Sequence, residues 1–234
     1  MNNRILLIEM ARALQPLLDK LVFVGGCAVD LLVDDEAADD IRVTGDVDVI
    51  AEIATRIEYY ALIDELRQLG FHEVVPTEDE PAPICRLSYE NMILDVMPTD
   101  ERVLGFSNKW YLPAVKNANI FELEQNLFIK VVSPAYFIAT KLIAFRTRGK
   151  SDYYCHDMED IITVYNGNSS IVSAIKSADS DVRQFIRSEF NILLADRGFK
   201  VNCIAGHLSY ESKQRFELVF KRISDSIMDK DDSE

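Results

Sequence analysis

The sequence has no long apolar run and few cysteines or histidines, and each shortage excludes a class of protein. No stretch of its 234 residues is apolar over the length that a membrane-spanning helix needs. The four cysteines and three histidines are scattered singly, so neither a disulfide framework nor a zinc site with clustered ligands is expected. The first 20 residues carry internal charges and no small-residue cleavage site. We therefore expect no signal peptide and a cytoplasmic protein.

Positive charge is also scarce. The chain has 25 Lys and Arg against 39 Asp and Glu, a formal net charge of −14. This balance disfavours unaided binding to nucleic acid, because phosphate contacts supply most of that affinity. Part of the excess lies in residues 34–40 and 229–234, so a basic stretch at residues 141–150 can still act locally.

Hydrophobic periodicity divides the chain into an α+β first part, residues 1–130, and a helical second part, residues 131–234. A hydrophobic content of 48% and a charged content of 27% are typical of a globular domain with a real core. The pattern predicts strands at 21–24, 42–50, 84–89 and 92–97, short extended pieces within 101–133, and helices at 3–19, 28–33, 54–69, 135–146, 157–165, 170–177, 180–195 and 210–228.

The most informative motif is Asp46-Val47-Asp48 within the predicted strand 42–50. Alternation along a strand places both carboxylates on one face and the valines on the other. Two carboxylates without a basic neighbour repel each other, so they need a cation or a shared proton. Magnesium with a nucleoside triphosphate meets this need. An edge strand with two solvated aspartates is the alternative.

Two further features lie on either side of this motif. Gly25-Gly26 ends a predicted strand and precedes a helix, where glycines allow a sharp turn and helix N–H groups can bind a phosphate. Asp95 interrupts an apolar strand, where an unpaired charge would be costly. The alternative for Asp95 is an edge position, or a pair with an arginine such as Arg86. Jointly the three features are more specific than any one of them.

This combination resembles the nucleotidyltransferase superfamily with the DNA polymerase β-like fold. That family carries Gly-Gly or Gly-Ser after the first strand, then an acidic pair, then a third acid on a neighbouring strand. Residues 42–48 also resemble the Arg-x-Thr/Ser-x-Asp-x-Asp run of AbiEii/AbiGii-type toxin nucleotidyltransferases, and the likeness spans about residues 20–165. It implies an α+β fold in which a mixed sheet with flanking helices is followed by a helical part that completes the active-site cleft.

The resemblance also implies roles for individual residues. Asp46, Asp48 and Asp95 would hold two Mg²⁺ ions, with Mn²⁺ as a substitute, and Asp95 would help deprotonate the attacking hydroxyl. The family's helix lysine and the aspartate after it match Lys141 and Asp157, which completes the implied catalytic set. The implied nucleotide-binding residues are Gly25, Gly26, Arg42, Thr44, Lys141, Arg146, Arg148 and Lys150.

Several of these positions have simpler explanations. Lys141 would also suit a surface helix, the basic residues at 146–150 a solvated helix end, and Asp157 a helix cap. The stretch between Gly26 and Asp46 is unusually long for the family. Cys27 stands where a hydroxyl residue often contacts the triphosphate, and a thiol is a poor donor.

The implied reaction moves a nucleoside monophosphate from a nucleoside triphosphate to an acceptor hydroxyl and releases pyrophosphate. The implied acceptor is an RNA, such as a tRNA 3′ end, or a protein. The implied setting is a toxin–antitoxin or phage-defence pair with a cognate antitoxin as partner and no membrane. Two alternatives stay open: a non-catalytic nucleotide-binding or partner-neutralising module on the same fold, and a phosphohydrolase that releases free phosphate.

Overall fold

A computed structural model describes residues 2–76, 82–208 and 213–228 of the chain. The chain forms two compact units. The first comprises Met1–Asp30 and Val43–Ser133, and the second comprises Leu31–Arg42 and Pro134–Glu234. Within the described residues, no helix has both the length and the apolar character that crossing a membrane requires.

The first unit is built on a mixed seven-stranded sheet, which confirms the predicted α+β class. The strand order is β3-β4-β5-β2-β1-β7-β6. The pairs β2/β5 and β1/β7 are parallel and the remaining neighbours are antiparallel. The strands are β1 Leu21–Val24, β2 Asp46–Ala51, β3 His72–Glu73, β4 Arg86–Tyr89, β5 Met92–Pro98, β6 Asn119–Glu124 and β7 Leu127–Val131.

Helices connect these strands. The helices that begin in this unit are α1 Asn3–Ala13, α2 Val29–Leu32, α3 Arg56–Gln68, α4 Glu101–Leu104 and α5 Tyr111–Lys116. Helix α3 begins with a capping box, in which the Thr55 hydroxyl accepts from the Glu58 N–H and the Glu58 carboxylate accepts from the Thr55 N–H. The sequence at the beginning of α3 therefore contains the capping residues that define its N-terminus.

The alternation predicted for the Asp-x-Asp strand is present. Val47 and Val49 are fully buried, whereas Asp46 and Asp48 are only half-buried. On the neighbouring strand Leu94 and Val96 are also fully buried. Burying each of these apolar side chains stabilises the unit by about 1.5–3 kcal/mol, so the hydrophobic face fixes which way the aspartates point.

The second unit is helical. Its aromatic core contains Tyr165, Phe190 and Phe199, all fully buried, and the Tyr165 hydroxyl lies 3.0 Å from Ser226 Oγ. Its helices are α6 Pro134–Arg146, α7 His156–Gly167, α8 Ile171–Ser177, α9 Ser180–Ala195, the π-helix Phe199–Ile204 and α10 Lys213–Ile227. The predicted helix at 210–228 therefore begins at Lys213, and residues 210–212 lie outside the described residues.

Three predicted elements were wrong in extent or type, whereas the helix predicted at 28–33 is present as α2 Val29–Leu32. Helix 3–19 ends at Ala13 and continues as a 3₁₀ helix, Gln15–Lys20, because Pro16 has no N–H for an α-helical bond. A 3₁₀ turn, Gly26–Ala28, precedes α2. Strand 42–50 begins only at Asp46, where pairing with β5 begins. Residues 101–133, predicted as extended pieces, contain the short helices α4 and α5 as well as strands.

Candidate functional site

The three predicted metal-binding aspartates lie on two adjacent parallel strands. Asp48 is the register partner of Asp95, and Asp46 lies two residues earlier on the same strand. Paired positions of neighbouring strands point to the same face, so the three carboxylates share one face of the sheet. Asp95 is only 6% exposed, which makes a counter-charge obligatory.

Arg86 supplies that counter-charge. It lies on β4 as the register partner of Asp95. Its Nε donates to Asp95 Oδ1 over 2.8 Å, and its Nη2 donates to Asp95 Oδ2 over 2.7 Å. The same nitrogen donates to Asp46 Oδ2 over 2.9 Å. The possibility that Asp95 pairs with Arg86 is therefore confirmed, and Asp46 belongs to the same ion-pair group.

The electrostatics of this group are dominated by the guanidinium. Hydrogen bonding to Asp95 raises the pKa of Arg86 against the opposing effect of burial, and the charges of Asp46 and Asp48 raise it further. Burial, with the nearby negative charge of Asp95, raises the pKa of Cys85 to about 12. Arg86 is thus a permanent cation here, and Cys85 is a neutral thiol.

The aspartates suit Mg²⁺ in donor type and in strand placement. Carboxylate oxygens are the ligands that Mg²⁺ prefers. In the arrangement seen, however, Arg86 takes both oxygens of Asp95 and one of Asp46. Across the described residues, no group of three His, Cys, Asp or Glu side chains is gathered as a metal ion would require. The donor type therefore fits the ion, but the arrangement of the carboxylates around Arg86 does not gather them for one.

Gly25 adjoins this group at the end of β1. Its φ of +72° is a conformation that L side chains rarely adopt. A Cβ at this position would overlap Asp48 Oδ2 and would lie 2.6 Å from Asp48 Cγ. Glycine is therefore required at residue 25 by its backbone and by the Asp48 carboxylate. The predicted phosphate contact of Gly25 and Gly26 stays a prediction.

Two neighbours of the motifs have structural roles. Cys27 is fully buried and its thiol donates to the Val24 carbonyl over 3.4 Å, so it points into the core. Thr44 is buried as well. Its N–H donates to Asn3 Oδ1 over 2.9 Å and its hydroxyl donates to the Asp46 carbonyl over 3.3 Å, which fixes the entry of β2.

A second group of charges surrounds the buried Lys141 in the helical unit. Its Nζ donates to Asp160 Oδ2 over 2.6 Å and to Asp157 Oδ1 over 3.1 Å. Arg148 donates to both oxygens of Asp157, at 2.7 and 3.0 Å. Arg42 pairs with Asp160 over 3.2 Å. The helical unit therefore brings together the predicted residues Arg42, Lys141, Arg148 and Asp157.

Ionisation within this group follows from the pairing. Burial acts to lower the pKa of Lys141, but the charges of Asp160 and Asp157 outweigh it and leave the pKa raised. Burial likewise acts to raise the pKa of Asp157, and the bonds from Arg148 with the charge of Lys141 outweigh it, so this pKa is lowered. Lys141 and Asp157 therefore both stay charged at neutral pH.

The remaining basic residues of the 141–150 stretch, Arg146 and Lys150, differ in their surroundings. Arg146 donates to Glu189 over 2.8 Å, so its charge is matched by an acid on α9. Lys150 is exposed in the turn after α6, at a φ of +50°. The cap assignment for Asp157 was wrong, since the N-cap of α7 is Cys155 and the Asp157 side chain bonds to Lys141 and Arg148.

No protein family model and no curated protein sequence matches the chain. Among solved structures, the chain is similar to an antigenic nucleotidyltransferase-like protein from Paracoccidioides brasiliensis, at 15% identity and a TM-score of 0.48, over 88% of this chain and 94% of that one. It is also similar to JHP933 from Helicobacter pylori, at 9% identity and a TM-score of 0.45, over 94% of this chain and 89% of that one. At identities and TM-scores this low, neither likeness says anything about activity.

Sequence reasoning underrated two residues. Arg86 was considered only as a possible partner of Asp95, although it bonds to Asp46 as well. Asp160 was not included among the site residues, although it is the closer of the two carboxylates to Lys141 Nζ. A usable signal existed for Arg86, since the hairpin turn at 90–91 places it opposite Asp95.

Proposed function

We propose that this protein is a magnesium-dependent nucleotidyltransferase whose reaction centre is the Asp46–Asp48–Asp95 group. The observation that carries the proposal is the row formed across three neighbouring strands, with Gly25 at the end of β1, Asp48 on β2 and Asp95 on β5. The Gly-Gly and Asp-x-Asp motifs, with the third aspartate, support the same assignment. Three carboxylates on one sheet face are costly, and a purely structural role would not require them.

In this proposal the acceptor hydroxyl oxygen forms a bond to the α-phosphorus of the nucleoside triphosphate. The bond from that phosphorus to the bridging oxygen of the β-phosphate breaks, and pyrophosphate leaves. Asp46 and Asp48, with Asp95, would hold Mg²⁺, which supplies positive charge to the triphosphate oxygens. The hydroxyl proton passes to a carboxylate oxygen of Asp95. Both of those oxygens accept bonds from Arg86 in the structure, so Arg86 controls whether Asp95 can act.

The finer assignments rest on the resemblance of residues 42–48 and 133–162 to AbiEii-type toxins. We propose an RNA acceptor, such as a tRNA 3′ end, or a protein hydroxyl, and a toxin role with a cognate antitoxin. Phosphate neutralisation by Lys141, and support from Asp157, belong to the same proposal.

The test is label transfer from each α-³²P-labelled nucleoside triphosphate, with Mg²⁺ or Mn²⁺, in total cellular RNA and protein. We expect one fraction to be labelled and pyrophosphate to be released. Asp48→Asn should abolish both. Asp100→Asn is the matched control, since Asp100 caps α4 and pairs only with the exposed Arg102 among the ion pairs of the described residues. Label transfer at the wild-type rate in Asp48→Asn would contradict the proposal.

One observation favours a second candidate, the non-catalytic module. Arg86 forms ion pairs with Asp95 and Asp46, as expected for carboxylates whose role is structural. Calorimetry with each nucleoside triphosphate and Mg²⁺ separates the two candidates. Binding without pyrophosphate release, with every acceptor fraction tried, would favour the module.

A further inference from the structure

The helical unit contains a small polar cavity that the proposed reaction does not use. Its volume is about 120 Å³, and it lies where the ends of α8 and α10 meet one face of α9. The residues that line it are Lys176, Ser180, Arg183, Gln184, Arg187 and residues 226–228, and none of these is acidic. A cavity needs only about 15 Å³ to hold one water molecule, so this one has room for a tetrahedral oxyanion.

The amphipathic pattern of α9 brings its polar side chains to this cavity. Arg183 follows Ser180 by three residues and Arg187 lies about one turn further on, so the three share one face of the helix. Gln184 lies on the same face. The buried residues of α9 form a separate apolar stripe that begins at Val182. Packing of that stripe into the core therefore leaves the polar face for the cavity.

Two of the cations that line the cavity have no carboxylate partner. Neither Lys176 nor Arg183 forms an ion pair with a carboxylate of residues 2–76, 82–208 or 213–228. Arg187 has a further interaction, and the Ser180 hydroxyl donates to Asp181 over 3.2 Å, so neither is counted as available to a ligand. A general surplus of basic residues does not explain the arrangement, because the chain has 39 Asp and Glu against 25 Lys and Arg.

We propose that this cavity binds a phosphate group, held by the Lys176 ammonium, the Arg183 guanidinium and the Gln184 amide. A lining without carboxylates does not suit a metal cation. A phosphate has oxygens in four directions and suits donors that come from two helices, whereas a carboxylate has two oxygens in one plane, which one arginine can bind. Inorganic phosphate and a phosphate monoester share this chemistry. The site does not depend on the proposed function, because none of its residues belongs to the aspartate group.

The test measures the binding of inorganic phosphate by isothermal titration calorimetry, without nucleotide or metal. The wild type should bind one phosphate per chain. Arg183→Gln and Lys176→Gln should each weaken binding about tenfold, the factor expected for losing one charge-assisted hydrogen bond. Arg197→Gln is the matched control, because it changes the net charge equally. Arg197 is exposed in the same unit, does not line the cavity and forms no ion pair with the described residues, so binding should be unchanged.

A second readout is thermal stability. Phosphate should raise the Tm of the wild type and of Arg197→Gln by equal amounts, and that of Arg183→Gln by less. Titration with O-phosphoserine distinguishes the two sources of the ligand. Binding as tight as that of inorganic phosphate would identify a monoester on a larger molecule, and binding more than about tenfold weaker would identify free phosphate. Either result supports the site.

Undetectable phosphate binding by the wild type would overturn the proposal, as would equal binding by the wild type and Arg183→Gln. One competitor is encoded in the chain itself, since Asp229, Asp231 and Asp232 follow closely after Met228, which lines the cavity. If phosphate bound only to the variant that combines Asp229→Asn, Asp231→Asn and Asp232→Asn, the cavity would accept the chain's own carboxylates instead. That result would also overturn the proposal.

Discussion

Gly25, which follows β1, lies so close to Asp48 on the neighbouring strand β2 that a methyl group on Gly25 would overlap the Asp48 carboxylate. Val24, one residue before Gly25, is the register partner of Asp48. The absence of a side chain at residue 25 therefore leaves the space in which the carboxylate of Asp48 lies. Glycine at this turn is therefore needed for the position of the Asp48 carboxylate.

Gly25→Ala should be strongly destabilising. A φ of +72° costs a non-glycine residue about 1–2 kcal/mol, and displacing Asp48 adds to that cost. Urea unfolding should show a loss of about 2–4 kcal/mol in the free energy of unfolding.

Gly105→Ala is the control for a positive φ without a steric overlap. Gly105 has a φ of +83° but open space where its Cβ would lie, so we expect only about 1 kcal/mol there. Gly25→Ala combined with Asp48→Ala should recover the steric part. A loss in the double variant as large as that in Gly25→Ala alone would show that the overlap with Asp48 has no energetic effect.

Elements with strong local signals could be predicted from the sequence. Hydrophobic periodicity predicted helix α3, whose capping residues Thr55 and Glu58 are also present in the sequence, and the hairpin β4–β5 turns at Glu90, with a φ of +51°. Hydrophobic alternation predicted the faces of Val47 and Asp48, because a buried face fixes the register. These signals lie within a few residues of the element they define.

The rest depended on partners far along the chain. The residues before β2 bond to partners far along the chain, Thr44 to Asn3 and Arg42 to Asp160, and no periodicity reveals such contacts. The ion pair of Arg146 could not be predicted from the basic stretch at 141–150, because its partner Glu189 is 43 residues away. The contacts of Arg86 could be predicted only by combining the motif with the strand register, which pairs Arg86 with Asp95. Local patterns therefore indicated the carboxylates, and Arg86 as one possible partner of Asp95, but not the bond from Arg86 to Asp46.

Removing the Thr55 hydroxyl should weaken helix α3. The hydroxyl accepts from the Glu58 N–H over 3.2 Å, so Thr55→Ala leaves that donor without its cap. We expect a loss of about 1 kcal/mol in urea unfolding. Thr147→Ala is the control, because the exposed Thr147 hydroxyl donates to the nearby carbonyls of Ile143 and Ala144 and caps no helix N-terminus, and it should change stability by less than about 0.5 kcal/mol. A Thr55→Ala variant as stable as the control would contradict the cap.

Lys141→Met should destabilise the protein severely. Lys141 is buried and holds Asp157 and Asp160, so its loss leaves buried carboxylates without their shared cation. The expected loss is about 3–5 kcal/mol by urea unfolding. The control is Lys213→Ala, which removes an exposed ion pair to Glu217 and should cost less than about 1 kcal/mol. A loss for Lys141→Met as small as that of the control would mean that the Lys141 group contributes little to stability.

Acid should destabilise the protein partly through Asp157. Its pKa is lowered in the folded state, so its contribution is complete above the unfolded value of about 3.9 and is lost as the pH falls through the folded value. The free energy of unfolding should therefore drop more steeply below about pH 4 in the wild type than in Asp157→Asn, which has no proton to take up. Urea unfolding at a series of pH values from 7 to 2 measures both curves. Parallel curves across the acid range would show that Asp157 has the same pKa folded and unfolded, and that Arg148 and Lys141 do not hold it ionised.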